Sequence, residues 1–76
     1  MRIIDLSKGE KATVLNVDLP EKLCERLKML NVYSGAQITL LKTAPFKTGY
    51  LLSAGSVRLA VGKNVANNIY IERQEL

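Results

Sequence analysis

"DLPEKLCERLKMLN", residues 18–31, is the stretch on which the fold turns. Leu23, Leu27 and Leu30 recur at i, i+4 and i+7 and form one apolar stripe, while Glu21, Lys22, Glu25, Arg26 and Lys28 take the rest of the circumference. Asp18, with Glu21 three residues on, has the form of a capping box with an acid in place of Ser or Thr. Pro20 falls in the first turn, where its missing N–H is harmless. Asn31 follows the last leucine and tolerates the left-handed conformation that ends helices. The pattern predicts one amphipathic helix over about 19–30.

The rest of the chain reads as short strands. Ala12 and Val14 share one face while Leu15 and Val17 take the other phase, and this one-residue slip implies a bulge or burial on both faces. Ala36, Ile38 and Leu40 alternate with Gln37, Thr39 and Leu41. Pro45 and Gly49 bracket a loop. Tyr50, Leu52 and Ala54 run out and Val57, Leu59 and Val61 return across Gly55-Ser56, a two-residue hairpin connection. "GKNVANNIY", residues 62–70, holds a short helical turn over 63–67, and Ile69 and Ile71 lie on a last strand. Strands this short leave open edges unless the sheet curls onto itself. The expected fold is mainly β: a small barrel of about five strands, 1–76 forming one domain, with the helix covering one end through its leucines.

Composition narrows the chemistry. A chain of 76 residues buries only about 60% of its unfolded surface, which leaves little room for both a core and a catalytic cleft. Hydrophobic residues at 47% and charged residues at 24% belong to a folded protein. The longest apolar runs fall far short of the roughly 20 residues that cross a bilayer. The first twelve residues carry Arg2, Asp5, Lys8, Glu10 and Lys11 without a secretory apolar run, and the single Cys24 has no disulfide partner. Both features favour the cytoplasm. With no His and one Cys, the chain has no ligand set for a tetrahedral zinc site and no evident nucleophile–base pair. Glycines 9, 35, 49, 55 and 62 are scattered singly, as turns require, and form no phosphate loop. We therefore expect no enzyme, no cofactor and no small-molecule substrate.

The order strand, helix, strand, hairpin, strand, together with particular residues, resembles the ferrous iron transport protein A family, FeoA-like proteins with an SH3-like barrel. The resemblance covers nearly the whole chain. It rests on Leu6 and Gly9, the helix "LCERLKML" with Arg26-Leu27 and Met29, the Gly35 turn before Ile38, Ala44-Pro45, the Gly55 turn with Leu59 beyond it, and Ala66 to Ile69. The chain departs from the family pattern in having Asn31 where Gly is usual, "FKTG" where a Gly-Asp-Pro loop often follows Ala44-Pro45, and Leu59-Ala60-Val61-Gly62 in place of a Leu-Ser-Leu-Arg return strand. The last two bear on surface contacts and leave the fold unaffected. The resemblance implies a cytoplasmic accessory protein that binds and regulates the GTPase part of a membrane ferrous iron transporter, meeting the inner membrane only through that partner.

Charge suggests where such a partner would dock. From Arg26 to Ile71 there are six basic residues, Arg26, Lys28, Lys42, Lys47, Arg58 and Lys63, and no acidic one, within a chain of net charge +4. Such a surface attracts acidic partners, anionic head groups or RNA phosphates, although solvated strand and loop residues would read the same way. Phe46, between Pro45 and Lys47, is either an interface anchor or a ring folded back to cap the barrel. Arg26 and Met29 lie off the leucine stripe and form a second contact candidate, unless Met29 is core edge. The candidate partner-binding residues are thus Arg26, Met29, Lys42, Phe46, Lys47 and Arg58. Cys24, beside the stripe, reads as a small buried hydrophobe. A proline-peptide groove of Tyr33, Tyr50 and Tyr70 is disfavoured, because Tyr50 falls on the inward phase and the chain has no Trp. The alternative function is a basic barrel binding RNA, which lacks an aromatic pair on adjacent strands as a stacking platform. An edge strand could pair two copies, but no feature demands an oligomer.

Overall fold

The computed structural model describes residues 1–74. A 3₁₀ turn at Ile3–Asp5 leads into β1, Lys11–Val17, followed by α1, Glu21–Met29, and β2, Gln37–Thr43. A second 3₁₀ turn, Pro45–Lys47, precedes β3, Gly49–Ala54, and β4, Val57–Gly62; α2, Lys63–Asn67, then leads to β5, Ile69–Arg73. All strand pairings are antiparallel and form one sheet in the order β4-β3-β2-β1-β5. β4 and β5 are therefore the sheet's two edges. They are not hydrogen-bonded to each other, and α2 links them directly, with Ala66 fully buried.

The slip between Val14 and Leu15 is a bulge. The β1–β5 register shifts between Val14 and Asn16, which leaves Leu15 52% exposed while Val14 stays in the core. A second bulge, between Leu40 and Lys42 against β3, falls at the adjacent pair Leu40-Leu41, the same kind of slip as Val14-Leu15. The hairpin turns at Gly55-Ser56, where Gly55 alone has positive φ (62°), the pattern of a type II′ connection. Ala12, Val14, Ile38, Leu40, Tyr50, Leu52, Ala54, Leu59, Val61, Ile69 and Ile71 meet inside the curl. Ile3, Leu6 and Val32 join them from outside the strands.

The helix start differs from the expected capping box. α1 begins at Glu21 with Pro20 at the N-cap and no side-chain cap bond. The Asp18 N–H instead donates to the Asn68 carbonyl at 2.8 Å, which fixes the approach to the helix to the far end of α2. Tertiary pairing therefore displaces the local cap. The helix end does follow its local signal. Asn31 has φ 68°, its N–H donates to the Lys28 carbonyl at 3.1 Å, and the Val32 N–H donates to the Leu27 carbonyl at 2.8 Å. These two bonds make a Schellman motif whose accompanying apolar contact is Leu27 with Val32, both in the core.

The leucine stripe is not uniform. Leu27 is buried at 6% exposure, whereas Leu23 and Leu30 are half-buried. The helix plugs the core with one residue and leaves its flanks facing a groove.

Candidate partner-docking site

The loop between β2 and β3 carries the most conspicuous surface feature. Phe46 is 95% exposed and has φ 60°, and Lys47 beside it has φ 55°. Two successive non-glycine residues in left-handed backbone each cost about 1–2 kcal/mol. The loop holds that conformation with its own hydrogen bonds: Ala44 N–H to the Gly49 carbonyl at 2.9 Å, Lys47 N–H to Ala44 at 3.0 Å, and the Thr48 hydroxyl to Pro45 at 3.0 Å. Phe46 is not folded back over the barrel, so the ring points away from the apolar surface it could have covered.

Under this loop lies a hollow of about 290 Å³ lined by Lys42, Thr43, Ala44, Pro45, Gly49, Tyr50, Leu51 and Ala60. A groove of about 250 Å³ runs between α1, through Leu23, Arg26, Leu27 and Leu30, and β4, through Leu59, Ala60, Val61 and Gly62, with Val65 at its end. Ala60 borders both. The structure thus sets Lys42 and Arg26 in neighbouring hollows on either side of one small residue. Met29, 84% exposed, and Arg58 line neither. Met29 is surface and not core edge.

None of Arg26, Lys42, Lys47 and Arg58 has an acidic partner among the described residues, where the ion pair present joins Arg73 Nε to Glu10 Oε2 at 2.7 Å. The Cys24 thiol, half-buried, points to the Leu19 carbonyl at 3.2 Å and the Val17 carbonyl at 3.6 Å, which explains it as a packed polar contact. Among the described residues no group of three or more His, Cys, Asp or Glu could hold a metal ion, and no helix is long and apolar enough to cross a membrane. The three exposed aromatics, Tyr33, Phe46 and Tyr70, fall on the α1–β2 connection, the β2–β3 loop and β5, while Tyr50 is in the core. No two of them share adjacent strands as a base-stacking platform would require. The side of the site that the sequence missed is the groove wall on β4, where Ala60 and Gly62 carry no charge or aromatic ring that periodicity could mark.

The FeoA domain model matches residues 1–73. The chain belongs to the FeoA family. That family is associated with ferrous iron transport. Among solved structures, the FeoA protein of Chlorobium tepidum superposes with TM-score 0.93 at 24% identity, over 99% of this chain and 71% of that one. An iron uptake regulatory protein, also FeoA, gives TM-score 0.85 at 25% identity over 97% of each chain. The FeoA of Stenotrophomonas maltophilia, an SH3 domain protein solved with zinc, gives 0.78 at 22% identity over 95% of this chain and 89% of that one. No curated protein sequence matches significantly. The five-stranded curl with its single main helix is accordingly the SH3-like FeoA fold.

Proposed function

We propose that this FeoA-family protein acts in the cytoplasm as an accessory of ferrous iron uptake, binding the GTPase part of a membrane iron transporter and regulating it by contact. The observation that carries the reading is Phe46, held 95% exposed in left-handed backbone beside Lys47. A strained, preorganised aromatic beside an unpaired lysine has the character of an interface anchor, since strain at a loop tip persists only where the surrounding bonds impose it. Lys42 and Lys47 supply positive charge that attracts an acidic patch and speeds encounter. The S. maltophilia relative has been put forward as a candidate activating factor for bacterial ferrous iron transport, which accords with a contact role. On this reading the chain carries no metal and turns over no nucleotide, and its effect is on the partner's conformational equilibrium.

The test is retention of membrane proteins on the immobilised chain, compared with the Phe46→Ala chain and with the Lys42→Glu, Lys47→Glu double variant. Recovery of a GTPase-bearing transporter by the native chain, and its loss from both variants with folded spectra, supports the reading. Equal recovery by all three removes the loop from the interface.

A further inference from the structure

The geometry points to β4 as an acceptor edge: an extended partner segment in which apolar residues alternate with acidic ones adds to the sheet there, its apolar side chains entering the groove against α1. Four observations converge on this edge.

β4 pairs with β3 over six residue pairs, Gly49–Gly62 to Ala54–Val57, without a register shift. Around a two-residue turn the pairs Ala54–Val57, Leu52–Leu59 and Tyr50–Val61 exchange the hydrogen bonds, so the N–H and C=O of Arg58 and Ala60 point away from β3. Among the described residues neither group has a backbone partner outside the sheet. The opposite edge is treated differently. β5 is covered by the start of the chain, where Arg2 bridges Tyr70 and the Ile71 N–H donates to the Met1 carbonyl at 2.7 Å.

Natural edges are blunted by lysine, proline, bulges or a covering segment. Apart from the charge of Arg58, β4 carries none of these devices, and its outward positions beyond Arg58 are Ala60 and Gly62, which offer no steric barrier. The space beside it is apolar on the inner side, walled by Leu23, Leu27 and Leu30 of α1. The charged residue lining it, Arg26, and those on β4 and at its exit, Arg58 and Lys63, are all basic.

Strand geometry then defines the occupant. Side chains of an added strand alternate between the faces. Those on the Leu59 and Val61 side meet the leucines, and those on the Arg58 side lie across from a guanidinium, where opposite-charge pairs are favourable. Apolar–acidic alternation satisfies both faces. A second copy of this chain would bring its own Arg26, Arg58 and Lys63 against the same charges, which disfavours self-pairing. The proposal goes beyond the Phe46 reading and does not depend on the transporter, so either can fail alone.

The probe is a capped peptide of about eight residues alternating valine and glutamate, matched to the usual strand length, titrated into the isotopically labelled full chain. Expected are shift changes over Arg58–Gly62 and the α1 leucine methyls, with slowed amide exchange at Arg58 and Ala60. Ala60→Pro removes an outward N–H that no ladder bond uses, at a position where an edge tolerates proline, and should weaken binding about tenfold with the fold retained. Arg58→Glu should lose the valine–glutamate peptide and gain a valine–lysine one, a swap that decides the matter even if the proline variant does not fold. The proposal is overturned by no change at β4 up to millimolar peptide, by equal binding of the valine–lysine peptide to the native chain, by unchanged binding in a folded Ala60→Pro chain, or by a concentration-dependent dimer paired through β4.

Discussion

Asn31 donates from Nδ2 to the carbonyl of Ala54 at 3.3 Å, tying the end of α1 to the tip of the β3–β4 hairpin. The same amide lies 3.5 Å from where a Cβ on Gly55 would stand. One residue thus serves as helix cap, left-handed hinge and hairpin clasp.

Replacing it separates these roles. Asn31→Gly keeps the φ of 68° accessible but loses the bond to Ala54, so the two effects nearly offset and stability should change by less than about 0.5 kcal/mol. Asn31→Ala loses the bond and strains the backbone, and should cost about 1–2 kcal/mol. Urea melts of the two variants check the order, and equal losses would remove the backbone role.

The leucine stripe should be graded. Leu27→Ala opens a cavity in the core and should cost about 2–4 kcal/mol. Leu23→Ala, on the half-exposed groove wall, should cost about 1 kcal/mol or less. A Leu23 loss equal to that of Leu27 would mean that the groove is closed in solution.

Ile3 supplies a test of the start of the chain. It is fully buried from a three-residue 3₁₀ turn held by the Arg2 N–H to Asp5 Oδ2 bond at 2.9 Å. Ile3→Ala should cost about 2–4 kcal/mol by thermal melt, comparable to a strand position such as Ile38.

Phe46 should show stability and function moving apart. Its ring contributes almost no burial and its backbone is strained, so Phe46→Asn, which suits left-handed φ, should raise stability by about 0.5–1 kcal/mol. Iron uptake in cells carrying it should fall. Lower stability would show that the ring packs in solution, and undiminished uptake would move the partner contact away from this loop.

The strand pattern, the helix, the two-residue hairpin connection at Gly55-Ser56 and the left-handed Asn31 were all legible because each depends on neighbours within a few residues: side-chain period, turn chemistry and capping are local. Local logic also overreached at Asp18, whose capping role yields to a backbone bond with Asn68, fifty positions away. Of the site, the basic run and Phe46 were readable as residue types. The exposure of Phe46 and Met29 and the burial of Val32 were decided by packing.

What residues 1–76 determined unaided was a leucine-faced helix among alternating strands, and so a curled sheet with a basic surface. Tertiary structure alone decided which edge stays open and what lies beside it. Pairing over long sequence separations sets strand order, so the start of the chain covers β5 while β4 lies open beside α1. No periodicity encodes that difference, because an edge is defined by the strand that is not there to pair with it.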